Sequence, residues 1–266
     1  MSRRGRVLPA LEQPALVLVA TLVLGGCGSD APVGSSGGSD QGTGTVRVLA
    51  AASLTEAFTA LADTFESDHP GTEVALSFDS SATLAEQVAQ GAPADVLATA
   101  DERTMAKVAD DGGTRVEPRA FASNRLQLVV PPDNPAAIER FADLEQPGTT
   151  FVVCVESAPC GKLAATLLDG AGITAEPASE EVDVKAVLSR VALDEADAGL
   201  VYATDAVAAG DAVRAIDVPA SADSPTRYPI AALADADEPA LAEDWVRLVL
   251  SRRGQQVLAD AGFGKP

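Results

Sequence analysis

The sequence contains little of the chemistry on which most enzymes and nucleic-acid-binding proteins depend. Its 266 residues include one histidine, one tryptophan and two tyrosines, and 19 basic residues stand against 39 acidic ones. A formal net charge of −20 repels phosphate backbones, which excludes nucleic-acid binding by counterion release. His69, the only histidine, lies in a turn-like stretch and is predicted to be a solvated loop residue. Catalytic triads that need a histidine are therefore unsupported, and no enzyme is expected.

The amino terminus lacks an apolar run long enough for a transmembrane helix. Three arginines among the first six residues precede an apolar run over 15–24, about half of the roughly 20 residues that a membrane span requires. A basic segment followed by a short apolar run is typical of a signal peptide. The run ends in Leu-Gly-Gly-Cys at 24–27, which resembles a bacterial lipobox; the alternative is an ordinary secretory signal with an incidental cysteine.

These features predict the layout of the first 44 residues. We expect a lipoprotein signal peptide over 1–26, and a lipidated Cys27 that begins a flexible tether over 27–44, rich in Gly and Ser. Such a protein is extracytoplasmic and anchored to the cell membrane by lipid. Because that compartment is oxidising, Cys154 and Cys160 are predicted to form a disulfide or to remain two free buried thiols. Two isolated cysteines without histidine do not indicate a metal site.

From Thr45 onward, short apolar segments alternate with helical patterns. This alternation predicts an α/β fold with largely parallel sheets, and the length favours two lobes. Strands are predicted over 46–50, 74–78, 94–98, 126–130, 151–155 and 199–202. Helices are predicted over 54–66, 83–90, 102–111, 162–168, 184–193 and 240–250.

Small and hydroxyl-bearing residues occupy four predicted junctions between a strand and a helix. Ser53, Ser81, Cys160 and Val184 each lie close to the start of a helix. In open α/β sheets, ligands bind at the carboxyl ends of strands, where helix amino termini favour anions. The alternative is that each serine only caps its own helix, since Ser53 and Glu56 have the spacing of a capping box.

Segments at these junctions resemble the periplasmic molybdate-binding proteins of ABC transporters. The segments are AAASLTEA at 50–57, FDSSATLA at 78–85, GAPADV at 91–96 and GLVYATDA at 199–206. The resemblance implies a type II periplasmic-binding-protein fold, in which two α/β lobes are joined by crossing strands and the ligand is held between them. The implied lobes are 45–123 with 219–266, and 124–218.

The resemblance also implies a set of ligand-binding groups. Hydroxyls of Ser53, Ser81 and Tyr202 would donate to the oxyanion, with backbone N–H groups of Ser81, Cys160 and Val184; the amide of Ser53 is a further candidate. Tyr202 has the alternative of being a plain core aromatic. The implied ligand is molybdate, with tungstate as a variant, and the implied partners are ABC permease subunits. A monomer without cofactor or metal cation is expected.

Two residues depart from what such a site requires, and two kinds of alternative function stay open. Cys160 stands where a small residue such as alanine is usual, and Asp79 brings a carboxylate close to a dianion site. Asp79 must therefore point away or cap a helix. Within the same class, the alternative is a receptor for sulfate or another tetrahedral oxyanion. Outside it, an enzyme or a regulatory domain on a similar two-lobed frame is disfavoured.

Overall fold

The computed structural model describes residues 44–266. The predicted signal peptide, Cys27 and almost all of the tether therefore lie outside the described residues. The strands are β1 Thr45–Ala51, β2 Glu73–Asp79, β3 Val96–Ala98, β4 Arg119–Asn124, β5 Leu126–Val130, β6 Phe151–Cys154, β7 Ser179–Glu181, β8 Ala198–Tyr202, β9 Arg214–Ile216 and β10 Thr226–Ala232. The helices are α1 Thr55–Asp68, α2 Ser81–Ala89, α3 Glu102–Asp110, α4 Pro159–Ala171, α5 Val184–Ala192, α6 Ala203–Ala209, α7 Pro219–Asp223, α8 Pro239–Leu250 and α9 Arg252–Asp260. Within this described part, no helix is both long and apolar enough to cross a membrane.

The strands form two five-stranded sheets that the chain visits in turn. The first sheet has the order β2-β1-β3-β10-β4 and the second the order β7-β6-β8-β5-β9. The chain leaves the first sheet after Asn124 and enters the second at Leu126, so that Arg125 alone separates β4 from β5. It returns after β9 through the short helix α7 to β10. Two segments therefore cross between the sheets.

Both sheets are mixed, so the prediction of largely parallel sheets is wrong. β1 pairs in parallel with β2 and β3, and β6 pairs in parallel with β7 and β8. The long strands next to the crossings, β10 and β5, pair antiparallel with both of their neighbours. β5 and β10 each follow a short segment that arrives from the other sheet, and not the long crossover that joins parallel strands within one sheet.

Aromatic side chains pack the helices of the first sheet together. Trp245 on α8 is fully buried and meets Phe58 and Phe65 of α1 edge to face, with ring centroids 5.5 and 5.6 Å apart. Phe121 of β4 lies 5.9 Å from Phe58. Edge-to-face pairs such as those of Trp245 stabilise a fold by more than their buried area alone would. Together these contacts hold α1 against α8 and against β4 of the first sheet.

Close backbone approach places the start of α4 directly over the end of β6. Gly161, the third residue of α4, is buried, and a Cβ atom there would overlap the carbonyl oxygens of Val155 and Cys154. Cys154 and Cys160 are joined by a disulfide across the same turn, with Cα atoms 5.8 Å apart. The first turn of α4 is therefore joined to the end of β6 by a disulfide. The lack of a side chain at Gly161 allows the two backbones to lie in contact.

We expect Gly161→Ala to destabilise the protein by about 1–3 kcal/mol or more, because the added methyl group has no space between the two backbones. Gly170→Ala is the matched control on the same helix, since nothing lies within 4 Å of its Cβ position. This second change should stabilise by about 0.5–1 kcal/mol through helix propensity. Urea unfolding of both variants measures the difference; equal stability of the two would contradict the close approach.

Candidate functional site

One small cavity opens where helices of both sheets begin. Its volume is only about 10 Å³, counted as the space open to the centre of a water-sized sphere, which suits a small ion better than a larger organic ligand. Its walls come from the carboxyl ends of strands and from the first turns of the helices that follow them. The lining residues are Ala51, Ala52, Ser53, Asp79, Ser80, Ser81, Ala100, Pro159, Cys160, Asp183, Val184 and Tyr202. We call this space the central cavity.

The structure brings all five predicted ligand-binding residues to the central cavity. Ser53 and Ser81 lie on the side of the first sheet, whereas Cys160, Val184 and Tyr202 lie on the side of the second. All five are buried, with at most 5% of their surface exposed. Residues from four separate junctions therefore converge, which the capping alternative for the serines did not require.

The hydroxyl of Ser81 has its acceptor function already occupied. Its Oγ accepts a hydrogen bond of 2.9 Å from the backbone N–H of Ala100, and both residues line the central cavity. A backbone amide can only donate. The hydrogen of the Ser81 hydroxyl is therefore free to point at a bound acceptor.

Tyr202 has a buried hydroxyl that makes no well-formed hydrogen bond to the described residues, although the Tyr228 hydroxyl is near enough to affect its pKa. The side chain is 2% exposed, and its Oη makes no hydrogen bond to the described residues. An unmade hydrogen bond at a buried hydroxyl costs about 1–3 kcal/mol. Burial, and after it the neighbouring Tyr228, raises the pKa of the Tyr202 hydroxyl well above its ordinary value. The group thus stays protonated and can donate into the central cavity.

Ser53 does not cap α1, so its predicted capping box with Glu56 is wrong. A 3-10 helix at Ala52–Leu54 precedes α1, whose first residue is Thr55 and whose amino-terminal residues receive no side-chain cap. The Oγ of Ser53 lies 2.8 Å from the hydroxyl oxygen of Tyr228 instead. Tyr228 is wholly buried, and its hydrogen bond holds the serine away from the helix end.

Three helices point their amino termini at the central cavity. Ser81 and Val184 are the first residues of α2 and α5, and Cys160 is the second residue of α4. The first-turn N–H groups of a helix have no partner within the helix, and they carry the positive end of its dipole. Pro159 begins α4 without an N–H group, so the amide of Cys160 is the first that α4 offers. Bonds to these amides do not involve the side chain, so a cysteine is compatible with this position.

Two carboxylates line the central cavity, and each already accepts a backbone hydrogen bond. Asp79 Oδ1 accepts from the N–H of Ser80 at 2.6 Å. Asp183 caps α5, since its Oδ1 accepts from the N–H of Ala186 at 2.9 Å. Asp79 was expected to point away or to cap a helix, but it lines the central cavity, and α2 has no side-chain cap because the partner of Asp79 is Ser80, the residue before the helix. Engaged carboxylates repel an anion less than free ones would.

Lys185 links the two sides of the central cavity by ion pairs and does not itself line the cavity. Its Nζ lies 2.7 Å from Glu56 Oε1 on α1 and 3.1 Å from Asp205 Oδ1 on α6. Asp205 is wholly buried, and burial raises the pKa of its carboxyl to about 6 although Lys185 opposes the shift. Burial lowers the pKa of Lys185, but Asp205 and Glu56 outweigh it and raise that pKa overall. The lysine charge is thus shared between two carboxylates.

Sequence reasoning missed the residues that support the ligand-binding groups. Tyr228 and Lys185 contact predicted site residues or lie next to them, and their partners come from distant segments. The only available signals were that Tyr228 is one of two tyrosines and that Lys185 follows Val184. The prediction for His69 is wrong in part. Its ring stacks on Phe65 with centroids 4.1 Å apart, and its side chain is 23% exposed.

Comparisons with known proteins identify relatives over almost the whole described part of the chain. The family model described as bacterial extracellular solute-binding protein matches residues 46–264. The molybdate-binding protein ModA of Mycobacterium tuberculosis H37Rv is 42% identical over 250 residues, which cover 94% of this chain and 95% of that protein.

Solved structures share the fold at lower sequence identity. The periplasmic molybdate-binding protein of Azotobacter vinelandii matches with a TM-score of 0.75 and 21% identity, covering 83% of this chain and 99% of that one. The sulfate-binding protein SubI of Mycobacterium tuberculosis H37Rv matches with a TM-score of 0.72 and 19% identity, covering 82% and 86%. The predicted two-lobed α/β fold is confirmed by these likenesses.

The buried Asp205 makes stability depend on pH in a direction that can be checked. Its pKa is about 6 in the folded protein against a reference of 3.8, so between these values the folded state holds a proton that the unfolded state has lost. This contribution to the free energy of unfolding is complete below about pH 4 and is lost as the pH rises through 6. The full change is on the order of 3 kcal/mol.

We therefore expect Asp205→Asn to remove this part of the decline in stability between pH 4 and 7. Urea unfolding at several pH values measures it. Asp169→Asn is the control, because Asp169 is exposed on α4, and its pH profile should match that of the unchanged protein. An Asp205→Asn profile parallel to the unchanged one would refute the assignment.

Proposed function

The chain belongs to the family of bacterial extracellular solute-binding proteins, and we propose that it captures molybdate, or tungstate, outside the cytoplasm for an ABC importer. The observation that carries the proposal is the convergence of Ser53, Ser81, Cys160, Val184 and Tyr202 on one small cavity. A relative named for molybdate binding is 42% identical over nearly the whole length of the chain, which supports the choice of ion.

The proposed ligand-binding groups of the central cavity are all hydrogen-bond donors. Molybdate is a fully deprotonated tetrahedral dianion at neutral pH, so its oxygens can only accept. The hydroxyl hydrogens of Ser81 and Tyr202 are available, and three helix starts add amides. A protonated oxyanion such as hydrogen phosphate needs an acceptor for its own proton; Oδ1 of Asp79 and of Asp183 already accepts from an amide, which leaves their Oδ2 atoms for that role.

Binding by such a donor set is strong enough for capture at low concentration. Each hydrogen bond to a charged partner contributes a net of roughly 1.5–3 kcal/mol. Six such bonds, from the hydroxyls of Ser53, Ser81 and Tyr202 and the amides of Ser81, Cys160 and Val184, sum to about 9–18 kcal/mol before the costs of association, which leaves micromolar or tighter binding. Of the described residues that line the central cavity, none is Lys or Arg. The attraction therefore rests on oriented dipoles.

The two sheets act as two lobes that close on the ion. In this proposal, one lobe comprises 45–123 with 219–266 and the other 124–218, with the crossings at Arg125 and α7 as hinges. The ion pair between Glu56 of the first lobe and Lys185 of the second, at 2.7 Å, supports a closed arrangement. The closed form would be the one that a permease recognises.

The amino-terminal sequence completes the proposal. Lipidation of Cys27 after removal of residues 1–26 would hold the protein at the outer face of the cell membrane, and the tether over 27–44 would let it reach the permease. A monomer suffices, because every proposed ligand-binding group comes from one chain. This arrangement is supported by the Leu-Gly-Gly-Cys sequence at 24–27.

A receptor for sulfate is the alternative, since the likeness to the sulfate-binding protein SubI is almost as close in fold. Sulfate is also a tetrahedral dianion whose oxygens only accept at neutral pH. The two readings differ in the size of ion that the central cavity prefers.

We expect titration calorimetry to give a dissociation constant for molybdate that is micromolar or lower, with tungstate similar and with sulfate and phosphate weaker. The physical reason is that the donors are fixed by helix starts and fit one ion radius best. Sulfate binding as tight as molybdate binding would favour the alternative receptor, and absence of binding to all four ions would remove the oxyanion function.

We expect Ser81→Ala and Tyr202→Phe each to weaken molybdate binding by about 1–3 kcal/mol, because each loses one charge-assisted hydrogen bond. Tyr202→Phe is the cleaner test, since the hydroxyl that it removes bonds to no described residue. Ser189→Ala on the exposed side of α5 is the control and should bind as the unchanged protein does. If calorimetry shows unchanged affinity for both site variants, these hydroxyls do not contact the ion.

A further inference from the structure

A buried series of hydrogen-bonded side chains leads from the crossing between the sheets to Ser53. Asn124, the last residue of β4, lies next to Tyr228 of β10, and Tyr228 lies next to Ser53. Asn124 is 4% exposed, Tyr228 0% and Ser53 3%. Of these three residues only Ser53 lines the central cavity.

The orientation of the Asn124 amide is set by the backbone. Its Oδ1 accepts a hydrogen bond of 2.9 Å from the N–H of Arg125, which can only donate. Its NH2 group must then face the other way, where Nδ2 donates to Thr204 Oγ1 at 2.9 Å and to the hydroxyl oxygen of Tyr228 over a longer 3.4 Å. Asn124 therefore offers hydrogens, and not lone pairs, to both hydroxyls.

This orientation favours Tyr228 as the donor in its hydrogen bond with Ser53. The oxygens of Tyr228 and Ser53 lie 2.8 Å apart, and either could donate when the pair is considered alone. Asn124 presents only hydrogens to Tyr228, so it cannot accept the Tyr228 hydrogen, whereas the Ser53 oxygen 2.8 Å away can. Burial raises the pKa of the Tyr228 hydroxyl above its ordinary value, so that this hydrogen is retained at neutral pH.

We propose that Tyr228 is a positioning residue for oxyanion capture: together with Asn124 it turns the Ser53 hydroxyl into a donor that points into the central cavity. The oxygen of Ser53 accepts from Tyr228, and its hydrogen is left for the ligand. Without Tyr228, the Ser53 hydroxyl can rotate and present either its hydrogen or a lone pair. This inference rests on the proposed function, since it concerns the same cavity.

The same series of hydrogen bonds connects the proposed orientation of the Ser53 hydroxyl to the crossing between the sheets. Asn124 belongs to the first sheet, whereas Thr204 belongs to α6, which follows β8 of the second sheet. The amide that aligns Tyr228 is therefore held from both sides of the crossing. An arrangement of donors fixed in advance binds an ion without the cost of ordering them.

A double-mutant cycle tests the proposal, with molybdate as the probe in calorimetry on the unchanged protein, Tyr228→Phe, Ser53→Ala and the double variant. Tyr228→Phe should weaken binding about 3- to 10-fold in the unchanged background, as expected for one lost neutral hydrogen bond. In the Ser53→Ala background, the same change should have an effect of less than about 2-fold, because the hydroxyl it orients is absent.

Equal weakening in both backgrounds, or no weakening in either, would overturn the proposal, because Tyr228 would then act through packing or not at all. Failure of the unchanged protein to bind molybdate is a separate outcome that counts against the proposed function. Ser251→Ala removes the cap of α9 and is the control for general destabilisation. It should lower the urea midpoint and leave the affinity unchanged.

A second variant covers the case in which Tyr228→Phe does not fold. Asn124→Ala removes the donor that fixes the direction of the Tyr228 hydroxyl. It should weaken molybdate binding about 2- to 5-fold through the same series of hydrogen bonds. This effect should also vanish in the Ser53→Ala background. If Asn124→Ala kept its full effect on affinity in the Ser53→Ala background, the proposal would be overturned.

Discussion

The proposed capture of a dianion places one constraint on the structure, because uncharged donors must meet the charge in the central cavity. Burial of an unpaired charge is costly, and no Lys or Arg occurs among the described residues that line the central cavity. The remaining sources of positive potential are helix starts and hydroxyl hydrogens. Parallel strands bring helix starts to one edge, because each βα unit begins its helix where its strand ends. The parallel pairs of each sheet build the site, and the antiparallel strands carry the chain between sheets.

The sequence predicted the uninterrupted apolar strands better than the very short strands and the strand that contains a proline. The apolar runs over 46–50 and 74–78 lie within β1 and β2, and the run over 126–130 matches β5. β10 was missed because Pro229 interrupts its pattern; the pairing with β4 shifts register at this proline. β7 and β9 have three residues each, too few for an alternation to appear. Strands whose pairing is decided by distant segments leave weak local signals.

The site divides in the same way between local and distant causes. Helix starts are local features, so Ser81, Cys160 and Val184 could be placed from their own neighbourhoods. The surroundings of Ser53 could not, because its partner Tyr228 lies 175 residues along the chain. The local pattern favoured a capping box with Glu56, but burial beside a tyrosine hydroxyl outweighed it. Glu56 instead pairs with Lys185, 129 residues away.

The position of Lys185 bears on how an acidic protein could hold a dianion, as proposed, without using a cation. Lys185 follows Val184, which lines the central cavity, yet its charge is shared between Glu56 and Asp205. Bulk charge acts through water and is screened over about 8–10 Å, whereas the donors act at contact distance. If Lys185 neutralised the ligand directly, any anion of the right charge would gain from it. Because its charge is already balanced, the site must distinguish ions by where their oxygens meet fixed donors, and this favours selection by size and protonation over selection by charge.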